Sequence, residues 1–206
     1  MSSREGTFIA FEGGDGAGKS TQVVRLAAAL EEAGREVVLT RQPGGTALGA
    51  AVRELVLHGA AITPRAEALL FAADKAQHVE EVVLPSLERG AVVITDRYTD
   101  SSIAYQGAGR DLGAAEVAEL QDWAVGGLAP DLTVLVDIDP GEGRRRRGAE
   151  HDRMESEADA FHDRVRGHFR ALAEEAPHRY LVVDGSAAPE EIARLVWERV
   201  REAGLA

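Results

Sequence analysis

Cysteine is absent from the 206 residues, which excludes a disulfide framework and any cysteine-based zinc site. Asparagine is absent as well. A chain without it cannot carry the Asn-Lys-x-Asp segment by which guanine-reading switches typically recognise their base. Lysine is scarce: of 23 basic residues only Lys19 and Lys75 are lysine. No run of about 18 apolar residues occurs, so no membrane span is expected. No apolar stretch follows basic residues at the N-terminus, as a signal peptide requires. Positive charge is in deficit, with a formal net charge of -12. An acidic surface repels a nucleic-acid backbone, so neither a polynucleotide nor a membrane is expected as partner. A small phosphorylated molecule needs only a local basic pocket. These absences point to a cytoplasmic protein.

The length suits one domain spanning 1–206. Short apolar runs predict strands at Phe8–Phe11, Glu36–Thr40, Ala91–Thr95, Leu132–Val136 and Tyr180–Val183. Helical patterns cover Ser20–Ala33, Thr46–Leu57, Pro64–Leu87 with a bend near Pro85, Ala114–Val125, Ala158–Glu175 and Pro189–Ala203. Strands without internal alternation, separated by helices, imply an α/β fold: a five-stranded parallel sheet with helices on both faces. Ligands in such sheets lie at the carboxyl ends of the strands.

After the first strand comes Gly13-Gly14-Asp15-Gly16-Ala17-Gly18-Lys19-Ser20, followed by Thr21 and a helix. This is the phosphate-binding loop, G-x-x-x-x-G-K-[ST], in the context it needs. Glycines let the backbone curl so that N–H groups face phosphates, and the helix N-terminus adds partial positive charge. Lys19 is placed to reach the β- and γ-phosphates of ATP, and the Ser20 hydroxyl to ligate Mg²⁺. The bland alternative is a glycine-rich turn with a solvated lysine. Arginine has replaced lysine almost everywhere in this chain, yet position 19, where a compact ammonium is wanted, keeps it.

Further motifs follow in order. Thr40-Arg41-Gln42-Pro43-Gly44-Gly45-Thr46 resembles TREPGGT, with Gln for Glu. Leu70-Phe71-Ala72-Ala73-Asp74-Lys75-Ala76-Gln77-His78 resembles LFxADRxQH, with Lys for Arg. Asp96-Arg97-Tyr98-Thr99-Asp100-Ser101-Ser102-Ile103-Ala104-Tyr105-Gln106-Gly107 is similar to DRYxxSxxAYQG, and Asp152-Arg153-Met154-Glu155 to DR[IM]E. Together with the loop these are the motifs of the thymidylate kinase family, and the resemblance runs from about Phe8 to about Tyr180. It implies the P-loop fold of nucleoside-monophosphate kinases, phosphorylation of dTMP by ATP–Mg²⁺, and a homodimer.

The resemblance also implies roles, residue by residue. Arg97 matches the arginine that grips the dTMP phosphate, with Arg41 and Arg53 as further candidates near the acceptor. Asp96 stands where a Walker-B-type acid organises Mg²⁺. Asp15 matches the acid that meets the sugar 3′-hydroxyl. Phe71 matches the ring stacked on thymine, Ser102 and Gln106 match groups that meet the base, and Tyr105 matches the residue that crowds the 2′ position. Lys75 stands for an arginine that donates to thymine O4; its alternative is a solvated helix lysine. Gln42 stands for a glutamate expected near the acceptor phosphate or metal waters. Residue 16 is glycine, so the loop supplies no catalytic arginine. A lid over about 141–156 must then supply it, from Arg153 or the Arg144–Arg147 run. The acceptor is a phosphate oxygen, already largely ionised at neutral pH, so no strong general base is required. A kinase of another nucleoside monophosphate, or a deoxynucleoside kinase, is the alternative. The latter acts on a neutral hydroxyl and calls for a carboxylate base near the acceptor.

Overall fold

A computed structural model describes residues 5–147 and 152–206. Five strands form one parallel sheet: β1 (Thr7–Glu12), β2 (Val37–Arg41), β3 (Val92–Asp96), β4 (Leu132–Asp137) and β5 (Tyr180–Asp184), in the order β2-β3-β1-β4-β5. The register pairs Phe11 with Asp96 across β1 and β3, and Glu12 with Leu135 across β1 and β4. The connection after β1 runs to one side of the sheet, and that after β3 crosses to the other. A crevice therefore opens between the carboxyl ends of β1 and β3, the place where ligands bind in open α/β sheets.

The strands are apolar on both faces because both are covered. Ile9, Phe11, Ile94 and Val134 pack against Leu26 and Leu30 of α1 (Lys19–Glu32) and Ile192 and Val196 of α9 (Pro189–Glu202). The alternate residues Phe8, Ala10 and Val93 meet Val79, Val83, Leu87 and Tyr98 on the opposite face. A third cluster joins Phe71, Tyr105, Leu135, Phe161 and Phe169. It links the sheet to α3 (Pro64–His78) and α8 (Asp159–Glu175).

The expected helices are present, with additions. Helix α2 (Ala47–Arg53) runs on through a wide π-type turn at Glu54–His58, capped at its start by Thr46 Oγ accepting from Gly49 N. The single helix expected over Pro64–Leu87 is α3, a π-type turn at Val79–Val83, and α4 (Leu84–Glu88). Pro85 has no N–H for the carbonyl four residues back, and the widened turn lies just before it. Helix α6 (Ala114–Ala124) packs against α3. Two helical segments were not expected: α5 (Thr99–Ser102), continued as a π-type turn over Ile103–Gly109, and α7 (Pro140–Arg147). The expected lid, about 141–156, falls partly on residues 148–151, outside the described residues. Among the described residues no helix is long and apolar enough to cross a membrane.

Candidate active site

The loop after β1 is shaped by its glycines. Gly13 has φ +133° and a Cβ there would lie 2.3 Å from Val136 O, so only glycine lets the loop pass over β4. Gly16 has φ +77°, and its Cβ would meet Gly143 O of α7 at 2.2 Å. The start of α7 thus rests on the loop. A side chain at residue 16, arginine included, is closed off by backbone conformation and by this contact.

Lys19 is buried, and its Nζ donates to the carbonyls of Gly13 at 3.0 Å and Gly14 at 2.8 Å. Burial and the nearby Arg97 charge lower its pKa to about 8. Next to it, Ser20 Oγ donates to Asp96 Oδ2 at 2.7 Å, joining the start of α1 to the end of β3. This hydroxyl–carboxylate pair is a hard-oxygen set of the sort that holds Mg²⁺ together with waters and phosphates. No cluster of three or more His, Cys, Asp or Glu residues suited to a metal exists among the described residues. A closed all-protein cage is therefore not what these residues offer, and the pair fits Mg²⁺ in its phosphate-bound mode.

Arg97 follows Asp96 with φ +70°, a left-handed conformation uncommon for a side chain of this size. It turns the guanidinium back over the loop. Nη1 donates to Gly13 O at 3.1 Å and Ser101 Oγ at 2.9 Å; Nη2 donates to Asp15 Oδ1 and, at 3.3 Å, to Tyr105 Oη. Burial alone would lower its pKa, but Tyr105, Asp15, Asp96 and Glu12 outweigh that and raise it. Tyr105 Oη donates to Asp15 Oδ2 at 2.7 Å, and burial raises the phenol's pKa. Asp15, Arg97 and Tyr105 thus form one bonded triangle at the crevice.

Glu12 opens the loop motif, with no role of its own expected from sequence, yet it organises the site from behind. It ends an otherwise apolar strand and is fully buried. Oε1 accepts from Tyr98 N at 2.8 Å and Ser101 N at 3.1 Å, and Oε2 accepts from Ser101 Oγ at 2.5 Å. A carboxylate at the start of α5 orders a segment of poor helix formers, which explains why propensity missed it. Burial, aided by the Asp100 carboxylate, pushes the Glu12 pKa up to about 7. The sequence signal for Glu12 was its place at the head of the loop motif, directly before the glycines.

Phe71, Asp74, Lys75 and His78, three and four residues apart, share a face of α3, and Phe71 and Lys75 line the crevice. Lys75 is 2% exposed and so is not a solvated lysine. Its Nζ donates to Ser102 Oγ at 2.8 Å and lies 5.4 Å from the Phe71 ring centroid. Burial lowers its pKa to about 8. Gln106 is 1% exposed, and its Nε2 donates to Glu67 Oε1 at 2.9 Å.

The loop after β2 docks on the same helix. Asp74 Oδ1 accepts from Gly44 N at 3.3 Å, and His78 bridges Thr40 Oγ1 and Gln42 Nε2, each at 2.6 Å. The Gln42 amide nitrogen is engaged by His78, and Gln42 also lines the crevice. Burial and the Lys75 ammonium lower the His78 pKa to about 4, so the ring is neutral and accepts from Gln42 through Nδ1. Arg53 Nη1 donates to Pro43 O at 3.2 Å, and Arg41 and Arg53 both line the crevice.

The arginines expected in a lid divide. Arg144 pairs with Asp159 at 2.6 Å, and Arg145 with Glu142. Arg146 faces the crevice, with Nη1 donating to Gly185 O at 2.8 Å. Arg153 does not line the crevice: it donates to Val56 O at 2.9 Å and to Glu67 Oε2 at 2.5 Å. The Arg147 side chain lies outside the described residues.

One continuous cleft of about 760 Å³ gathers these groups. It is lined by Asp15, Gly16, Ala17, Gly18, Lys19, Ser20 and Thr21, by Arg41, Arg53 and Arg97, and by Phe71, Lys75, Ser102, Tyr105 and Gln106. It also continues past Arg146 to Gly185, Ala187 and Ile192. A phosphate-binding loop facing three arginines across one cleft, on a parallel sheet of this order, defines a P-loop phosphotransferase of the nucleoside-monophosphate kinase type.

The family model for thymidylate kinase matches residues 11–196. A thymidylate kinase of Clavibacter michiganensis subsp. michiganensis is 56% identical over 200 residues, 95% of each chain. One of Leifsonia xyli subsp. xyli is 59% identical over 194 residues, 92% of each chain. The crystal structure of thymidylate kinase from Ehrlichia chaffeensis is similar with a TM-score of 0.80 at 34% identity, covering 95% of this chain and 98% of that one. The chain belongs to the thymidylate kinase family.

Proposed function

We propose that the protein transfers the γ-phosphate of ATP to the phosphate of dTMP, giving ADP and dTDP on the way to dTTP. Arg97 is the observation that carries this reading. Its left-handed backbone aims a guanidinium across the donor loop, between Gly13 O and Asp15, with Arg41 and Arg53 on the acceptor side. Three arginines suit an acceptor that already bears phosphate, since a guanidinium grips phosphate through two parallel hydrogen bonds.

An acceptor phosphate oxygen bonds to the γ-phosphorus as the bond to the β–γ bridging oxygen breaks, and ADP leaves with that electron pair. Lys19 neutralises the β- and γ-phosphates, and Arg97 holds the acceptor in line. Asp15 meets the sugar 3′-hydroxyl and Tyr105 the 2′ side. Phe71 stacks on the base, while Lys75, Ser102 and Gln106 read its edge. Ser20 and Asp96 would hold Mg²⁺, which when bound spreads charge over the transferring phosphoryl oxygens. A lid arginine supplies the remaining positive charge. Arg146 faces the cleft in this conformation, whereas Arg153 must leave Glu67 to reach the phosphates. We place the protein in the cytoplasm as a homodimer, consistent with its acidic, cysteine-free composition and its family.

The test is a steady-state assay with ATP against all deoxy- and ribonucleoside monophosphates and thymidine. The expected result is preference for dTMP; thymidine or dCMP outrunning dTMP overturns the reading.

A further inference from the structure

The carboxylate of Glu67 has no part in the roles assigned above. It is fully buried and lies behind the cleft, not in its lining. Gln106 Nε2 donates to its Oε1 at 2.9 Å. Arg110 donates from Nε to Oε1 at 3.2 Å and from Nη2 to Oε2 at 3.3 Å, and Arg153 donates to Oε2 at 2.5 Å. A carboxylate flanked by two guanidiniums only accepts. It therefore dictates which end of the Gln106 amide it meets, the nitrogen. The amide oxygen is the end left for the cleft that Gln106 lines.

We propose that Glu67 is a specificity-determining positioning residue, which locks the Gln106 amide in the one orientation that reads thymine and refuses cytosine. The inference rests on the reading of Phe71, Lys75, Ser102 and Gln106 as the base pocket. Thymine presents an N3–H donor beside the O4 acceptor. Cytosine presents an N3 acceptor beside a 4-amino donor. A primary amide matches thymine in one orientation and cytosine after a half-turn about its terminal torsion, with no change of shape. Gln106 left free would serve both bases. The half-turn sets the amide oxygen against Glu67 Oε1, two acceptors with no proton between them in a fully buried site, which the low local dielectric makes costly. Lys75 cannot replace this lock. As a donor alone it opposes the 4-amino group of cytosine but leaves N3 unread.

Glu67→Gln keeps the size of the side chain and lets position 67 offer an NH₂. Arg153 and Arg110 Nη2 claim the new amide's oxygen at the Oε2 position. Its nitrogen then takes the Oε1 position facing Gln106, at the loss of the 3.2 Å Arg110 Nε contact, and favours the reversed orientation. The experiment is kcat/KM for dTMP and dCMP on the wild type, E67Q, Q106A and the double variant. In E67Q the dTMP/dCMP ratio should fall at least about tenfold, with dCMP gaining as dTMP loses. Q106A should also narrow the ratio, and E67Q should add nothing to it. A merely structural glutamate would lower both substrates in proportion, so an unchanged ratio in E67Q overturns the proposal. An E67Q effect that persists in full in the Q106A background overturns it too. If Q106A narrows the ratio and E67Q does not, the lock alone fails. If Q106A itself leaves the ratio unchanged, the pocket reading falls and the lock with it. Should E67Q not fold by circular dichroism, the wild type supplies the answer. The Gln106 side-chain amide, assigned in NMR spectra by its loss in Q106A, should keep one Nε2 proton protected from solvent exchange with and without dCMP. Two freely exchanging protons overturn the lock.

Discussion

Arg97 shows how much one residue's backbone can decide. At φ +70° its guanidinium folds back on the loop after β1; in the strand conformation of its neighbours it would not. Lys19→Ala and Arg97→Ala should each lower kcat/KM by at least about 100-fold, or roughly 2.7 kcal/mol, as loss of one preorganised charge does. Lys19 should act mainly through ATP and Arg97 mainly through dTMP, read from initial rates with each substrate varied; near-wild-type activity would remove that residue from the site. Lys75 is buried beside Ser102 and Phe71, and burial has lowered its pKa to about 8. Lys75→Ala should lower kcat/KM for dTMP and narrow the gap to dCMP, while Lys75→Arg keeps the gap. Deprotonation removes the positive charge as pH rises through 8, so wild-type kcat/KM for dTMP should decline there, and Lys75→Arg should decline less steeply. Identical profiles would separate Lys75 from substrate binding. Gln42 is the gentler departure. A carboxylate there must accept, and the neutral His78 ring can meet it by moving its proton to Nδ1. Gln42→Glu should therefore change kcat or Mg²⁺ dependence by less than about tenfold, about 1.4 kcal/mol.

At the scale of elements, α3 and the segment expected as a lid were legible unevenly. The motif on α3 named Phe71 and Lys75, but Glu67, two turns N-terminal to Asp74, carried no signal. Its meaning lies in Gln106, Arg110 and Arg153, which are distant in sequence. Helical periodicity looks for an apolar face, and this face buries Glu67, Asp74, Lys75 and His78. The arginines expected in the lid were equivalent in sequence and are not so in space. Arg153→Ala should lower kcat and also lower the melting temperature, because Glu67 would lose one of its two guanidiniums in a buried site, at about 1–3 kcal/mol. Arg146→Ala, partly exposed, should lower kcat with little change in melting temperature. Paired thermal melts and dTMP kinetics on both variants decide between them. If neither loses kcat, the catalytic arginine is neither of these two.

Over the whole molecule, buried titratable groups couple stability to pH. The folded chain refuses a proton at His78 until about pH 4, because of burial and the Lys75 charge. The unfolded chain accepts it near pH 6.5. Stability is therefore lost as pH falls from 6.5 toward 4. Glu12, raised to about 7, works the other way, losing stability as pH rises from 4.5 through 7. His78→Gln isolates the first effect, since Glu12 is common to both proteins. In urea denaturation the loss of stability between pH 7 and pH 5 should be smaller in the variant by about 2 kcal/mol. An equal loss in both would show that His78 takes its proton freely.

The chain's own order of residues determined the parallel sheet, the phosphate loop and the family. Each rests on local rules: apolar runs of strand length, glycines where backbone must face phosphate, and motifs in fixed sequence. It also singled out Lys19 and Lys75, because lysine is rare here. Tertiary structure alone decided what those motifs touch. Glu12 orders α5 and Glu67 holds Gln106 across separations of 89 and 39 residues, and Arg153 is drawn to Glu67 while Arg146 faces the cleft. A buried polar group takes its role from whichever partners the packed fold brings within hydrogen-bonding distance, and no local pattern records those partners.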